Sequence, residues 1–238
     1  LAALSAACTL SEAAPENITD GELSLLPKFC ADVQAIRYGG ESSGKESPRA
    51  RQWVALLGKP FWTLHHYCWG LIHIRRSNAP GLAPNVRQGM VRDAVSDYLF
   101  VLTNAPSDFV LAPEIYLRLG EAQLILQQAS MARESFQRAR ELKPDYWPAY
   151  TRWIDFLVKN DQKSEAKALA AEGLRHAPNI QDLVNRYRRL GGDPTTIVPV
   201  QAAKPAGAET DPQLPATEKA DSKPAEVESM PRAASTPQ

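Results

Sequence analysis

The chain has 238 residues, 44% of them apolar, with 27 basic and 27 acidic side chains and a net charge of zero. That length admits one or two domains with a real core, and the balanced charge excludes the bulk electrostatic signature of a nucleic-acid binder, leaving only a local basic patch open. The longest strongly apolar run beyond the N-terminus, Phe61 to Ile74, is too short to span a membrane and carries three histidines, so it reads as a buried helix.

Residues 1–14 open with LAALSAACTL, small and apolar without charge. This resembles the end of a secretory signal peptide, with a cut near Ser5-Ala6-Ala7 or Ala13-Ala14. Cys8 offers a second reading, a lipid anchor, although Leu4 stands four residues before it rather than three. A plain cytoplasmic N-terminus is the third. The first reading predicts a periplasmic or secreted protein; the others predict an envelope lipoprotein or a cytoplasmic one. With Cys8 removed by export, Cys30 and Cys68 remain. An even pair in an oxidising compartment predicts one disulfide, the alternative being two buried thiols.

Residues 15–58 read as N-terminal helices and a flexible loop. Thr19 or Asp20 caps a short helix to Leu26, Pro27 interrupts, and Lys28 to Arg37 resumes. Gly39 to Ser47 is loop by composition, and Pro48 opens a helix to Leu57. Gly58-Lys59-Pro60 breaks it. The spacing of Phe61, Leu64, Cys68, Leu71 and Ile72 predicts a long helix over 60–77. Asn78 to Gln88 reads as a loop, and Gly89 to Thr103 as a helix with Val91, Ala94, Val95, Tyr98, Val101 and Leu102 inward.

A 34-residue period follows. It relates Pro144 to Pro178, Ala132 to Ala166 and Tyr116 to Tyr150. Within 113–146 the order is Tyr116, Leu119, Gly120, Ala132, Phe136, Ala139, Pro144. Small residues let two helices approach closely, Phe136 fills the space between hairpins, and Pro144 ends a helix. This order resembles the tetratricopeptide repeat (TPR), departing only at Gln123, where a second aromatic is usual. The second unit, 147–180, keeps Tyr150, Ala166 and Pro178 but has Trp153-Ile154 for Leu-Gly, Ala170 for the aromatic and Gly173 for Ala. Asn160-Asp161 supplies its turn and Ser164 caps its second helix. A capping helix runs from Asn179 to Leu190, with Leu183, Val184, Tyr187 and Leu190 inward, and Gly191-Gly192 stops it. Upstream, Trp69-Gly70 followed by Ala94, Tyr98 and Pro106 reads as a divergent third hairpin, which two marginal repeats would need. The fold expected is all-α: a TPR-like superhelix of about three hairpins plus a cap over 59–190. Residues 191–238, rich in Pro, Ala, Thr, Ser, Glu and Lys, read as a disordered tail.

No catalytic motif appears, and the chain reads as a non-enzyme without cofactor. Gly39 to Glu46 has the glycines of a phosphate loop without its spacing. His65, His66 and His73, with Cys68, are the one cluster that tempts a metal or redox reading. Zinc spacings are absent, and the alternative is a set of rings packed against Trp62, Tyr67 and Trp69.

The TPR resemblance implies an open inner surface lined by the first helix of each unit. By repeat position the groove candidates are Glu114, Leu117, Arg118, Glu121 and Leu124, then Thr151, Arg152, Asp155, Val158 and Lys159. Leu117 and Thr151 stand where carboxylate-clamp members carry lysine, and Glu121 and Asp155 where they carry asparagine, so the groove suits an ordinary peptide or partner helix instead. Leu26-Pro27-Lys28-Phe29-Cys30 and His65-His66-Tyr67-Cys68-Trp69 are similar to motifs of exported bacterial TPR proteins of unassigned role. That likeness supports export, and the TPR resemblance implies a periplasmic scaffold that recruits or assembles an envelope partner.

Overall fold

The computed structural model describes residues 14–33 and 49–200. The signal-peptide and Cys8 readings, the loop at 39–47 with its phosphate-loop-like glycines, and the tail beyond 200 lie outside the described residues. Among the described residues every regular element is helical. No helix there is long and apolar enough to cross a membrane.

The N-terminal part is short and tied down. Helix α1 (Asp20–Ser24) starts at a reciprocal cap between Thr19 and Glu22. A 3-10 turn, Lys28–Ala31, takes the place of the continuous helix expected from Lys28, and residues beyond Val33 are outside the described set. Helix α2 (Ala50–Leu57) ends at Gly58, whose φ of +74° suits a residue without a side chain.

The long helix expected over 60–77 is two pieces: a 3-10 turn at Lys59–Thr63, then α3 (Leu64–Ser77). Pro60 falls in the first turn, where its missing N–H costs nothing and the chain tightens before the α-helix proper. Helix α4 (Pro84–Asn104) starts earlier than expected, because Pro84 is the first helical residue rather than part of the loop. Then come α5 (Ala112–Ile125), α6 (Ala129–Leu142), α7 (Trp147–Lys159), α8 (Lys163–His176) and α9 (Gln181–Arg189). Ser164 lies inside α8; Gln162 holds the cap position.

Each of α3–α4, α5–α6 and α7–α8 packs as a hairpin, and neighbouring hairpins pack through α4 on α5 and α6 on α7. Helix α9 covers α8 and α7. The second helices end alike. Pro106, Pro144 and Pro178 each stand just past the cap residue, and the cap N–H groups of Ala105, Lys143 and Ala177 donate to the carbonyls of Val101, Ala139 and Gly173. This fixes a common register: Ala94, Ala132 and Ala166 are equivalent, and all are fully buried.

The first helices obey the same register. A Cβ on Gly120 would stand 2.9 Å from the Phe136 ring, and one on Gly70 2.5 Å from the Tyr98 ring. The two hairpins therefore share one small-against-aromatic contact. In α7–α8 the sizes are exchanged, Ile154 for glycine and Ala170 for the aromatic, both buried. Hydrophobic burial gathers in two clusters: one from Ile18 to Ala122, the other from Leu117 to Tyr187, with Tyr116 packed against both.

The tail expectation needs correction over residues 191–200. After α9 the chain returns to α8: the Val200 N–H donates to the Arg175 carbonyl at 2.7 Å, Lys167 Nζ donates to the Gly191 carbonyl at 2.7 Å, and Ile197 packs on the second core. Gly191-Gly192 stops the helix without ending the fold, since the Tyr187 ring fills the space a Cβ of Gly192 would need.

Candidate partner-binding face

The first helices carry a row of polar side chains that crosses from hairpin to hairpin. Glu114 on α5 accepts from the Tyr67 hydroxyl of α3 at 3.2 Å, from Arg118 Nε at 2.7 Å and from the Tyr146 hydroxyl at the entry to α7. Arg118 also donates to Glu121 at 3.0 Å, and Glu121 holds Arg152 of α7 at 2.6 Å. Asp155 of α7 takes both Arg186 Nε and Nη2 of α9 at 2.8 Å. The helical spacing of Glu114, Arg118 and Glu121 stacks them on one face, which is why Arg118 bridges two carboxylates.

Electrostatics follow from this geometry. Burial works to lower the Arg118 pKa, but Glu114 and Glu121 outweigh it and raise it well above the usual guanidinium range. Burial, then Glu114, pushes the Tyr67 and Tyr146 hydroxyls far up, so both are proton donors to the carboxylate at any ordinary pH. Asp155, Arg152, Val158 and Lys159 are exposed, and Leu124 is half-buried.

Four of the sequence candidates thus stand in one connected row, Glu114, Arg118, Glu121 and Arg152, and a fifth, Asp155, pairs separately with Arg186. Two need correction. Leu117 and Thr151 are 3% and 4% exposed, with their side chains engaged inside the protein rather than offered to a partner. Leu117 packs in the second core, and Thr151 turns its hydroxyl to the Pro148 carbonyl at 3.1 Å. Tyr67, Tyr146 and Arg186 were missed. The signal that points to Arg186 is its place on α9, four residues after Asp182 and facing Asp155 of α7.

The histidine region is a packed interior. His66 Nδ1 lies 2.8 Å from Asp97 of α4, and His73 Nε2 lies 3.8 Å from the same carboxylate. All three residues are buried. His65 Nδ1 meets the Trp62 carbonyl at 3.0 Å, its ring packs on Trp69, and burial followed by the neighbouring His66 lowers its pKa to about 4. Cys68 is joined to Cys30 in a disulfide, with both residues fully buried, so it offers no thiolate to a metal. Among the described residues no three His, Cys, Asp or Glu side chains come together as a metal site. Asp97, the residue that organises the cluster, was not singled out in the sequence, because one acid in an otherwise amphipathic helix reads as a solvated position.

Taken as a class, the described part of the molecule is a stack of helical hairpins with a crosslinked N-terminal segment. The chain matches no family model, no curated protein and no solved structure.

Proposed function

We propose that the chain is a non-catalytic TPR-type scaffold that binds a protein or peptide along the first helices of its hairpins. The polar row from Tyr67 to Arg186 carries this reading. Its contacts join α3 to α5, α5 to α7 and, through a separate pair, α7 to α9, and Arg152, Asp155, Val158 and Lys159 are exposed. The shared register of the three hairpins supports the TPR assignment, since close-packed small residues and a closing proline recur at equivalent places.

The row also narrows the kind of partner. Arg118 and Arg152 are engaged by Glu114 and Glu121, and Arg186 by Asp155, so no cation of this row is left over for a terminal carboxylate. An extended or helical segment held by side-chain and backbone contacts fits better. The buried disulfide supports a compartment that permits oxidation, such as the periplasm or the exterior.

The test is a pull-down from cell-envelope extract with the full chain, compared with Arg152→Glu and Val158→Asp. Both residues are exposed, so each variant should keep its circular dichroism spectrum and melting curve. Loss of the same captured protein in both variants supports the reading. Capture unchanged in both removes the first-helix face as the binding surface.

A further inference from the structure

The common register reveals a second place where a partner would seat, away from the polar row. One slot lies between the two helices of every hairpin, three residues after Gly70, Gly120 or Ile154 and one residue before Tyr98, Phe136 or Ala170. In α7–α8 it holds two buried leucines, Leu157 and Leu169. In α3–α4 it holds His73 and Asp97. In α5–α6 it holds Gln123 and Ser135, with the Ser135 hydroxyl donating to Gln123 Oε1 at 2.7 Å.

The α5–α6 slot opens to the surface. Gln123 and Ser135 form part of the floor of a depression of about 420 Å³, walled by Leu99 of α4, Tyr116 and Met131. Leu99 and Met131 are 42% and 47% exposed, large apolar side chains that line the same depression as this polar pair. With Oε1 engaged by Ser135, Gln123 keeps its amide N–H groups for an acceptor. At the rim Arg138 is neutralised by Glu141 at 3.1 Å, which leaves Glu134 as the uncompensated charge.

We propose that this depression takes a tyrosine side chain of a protein partner, with a basic residue next to that tyrosine. The ring would lie between Leu99 and Met131, a contact that thioether sulfur favours. Its hydroxyl oxygen would accept from the Gln123 amide, and the neighbouring cation would meet Glu134. Few other side chains match apolar walls, a donor floor and an acidic rim together. The site stands independently of the polar row, so either can fail without the other.

The experiment uses the full chain with labelled methionine methyl and side-chain amide groups. It is titrated with the capped dipeptide N-acetyl-Tyr-Arg-amide while the Met131 and Gln123 signals are followed by NMR. Saturable shifts of both signals are expected, at least tenfold weaker with Ala in place of the tyrosine and several-fold weaker with Glu in place of the arginine. Leu99→Lys, on the exposed wall, should abolish the shifts without changing the fold, and Glu134→Lys should weaken the dipeptide while leaving binding of p-cresol unchanged. An absence of saturable shifts, equal response to the alanine dipeptide, or binding that survives Leu99→Lys overturns the proposal. So does a Met131 shift that depends on protein concentration alone, which would mean that a second copy covers the depression.

Discussion

The first and last hairpins solve one packing problem with opposite chemistry. In α3–α4 the register slot holds a buried carboxylate, Asp97, between two histidines of one helix. In α7–α8 the same slot holds Leu157 and Leu169. The backbone arrangement is alike, and the first hairpin is tied to the N-terminal segment. A disulfide ties Cys68 to the N-terminal segment. Asp32 receives Arg49 and the Trp53 indole, both at 2.8–2.9 Å. Arg76 donates to both oxygens of Glu22 and to the carbonyls of Glu16 and Asn17. The last hairpin has α9 laid over it and a simple apolar filling. A repeat register therefore specifies where side chains meet, while the neighbours decide whether the meeting is ionic, hydrogen-bonded or apolar.

The comparison breaks most sharply at the disulfide. Replacing both Cys30 and Cys68 by Ala releases a crosslink with a sequence separation of 38 residues, which costs roughly 4 kcal/mol on the chain-entropy account. Chemical denaturation measures the loss, and hydrogen exchange should show α3 losing protection before α8. Equal loss in both helices would mean that the first hairpin has no special dependence on its tether.

Next comes the buried carboxylate. Asp97→Ala removes the partner of two buried histidines and should cost about 3 kcal/mol. In the last hairpin Leu157→Ala should cost a similar amount by a different route, an apolar cavity. Urea titration of each variant measures both losses.

Smaller effects come from the close approaches. Gly70→Ala would set a Cβ 2.5 Å from the Tyr98 ring, against 2.9 Å to Phe136 for Gly120→Ala and 3.0 Å to Tyr150 for Gly173→Ala. Overpacking should cost about 2 kcal/mol at Gly70, offset in part by the helix propensity of alanine, on the order of 1 kcal/mol. Melting temperatures should fall in the order Gly70, Gly120, Gly173, with Gly70 lowest.

The smallest effect is a pH dependence confined to the N-terminal tether. The hydrogen bonds from Arg76 lower the Glu22 pKa from 4.5 to about 2. A carboxyl depressed on folding stabilises fully above its unfolded pKa, and that contribution is lost as pH falls through about 2. It is worth about 1 kcal/mol for a pair of this kind. Glu22→Gln should flatten the stability profile between pH 4.5 and 2, read by urea titration at each pH.

Much of this architecture was legible because repetition amplifies weak signals. The 34-residue period marked the two units that hold α5–α6 and α7–α8, since closing prolines and buried alanines recur in both. The divergent first hairpin was legible through Gly70, Ala94, Tyr98 and Pro106. What escaped is local. A 3-10 turn at Lys59–Thr63 has the same composition as the first turn of an α-helix, so sequence does not separate them. Pro84 carries both a loop signal and a helix-start signal. Residues 191–200 look like tail by composition, but a few main-chain and apolar contacts suffice to hold them on α8. In the candidate face, the charged positions could be named from repeat spacing. Their pairing across helices could not, because it depends on how far each hairpin is rotated against the next. The burial of Leu117 and Thr151 escaped for the same reason.

Helix α5 has a consequence of its own. It contributes Ile115, Leu119 and Ala122 to one core and Leu117 to the other, so it is a party wall between two rooms. Taking the wall away unroofs both, and neither side can be trimmed back to it and remain weatherproof. A redesigned version that gains extra hairpins would leave the junction between α4 and α5 intact and be spliced beyond α6.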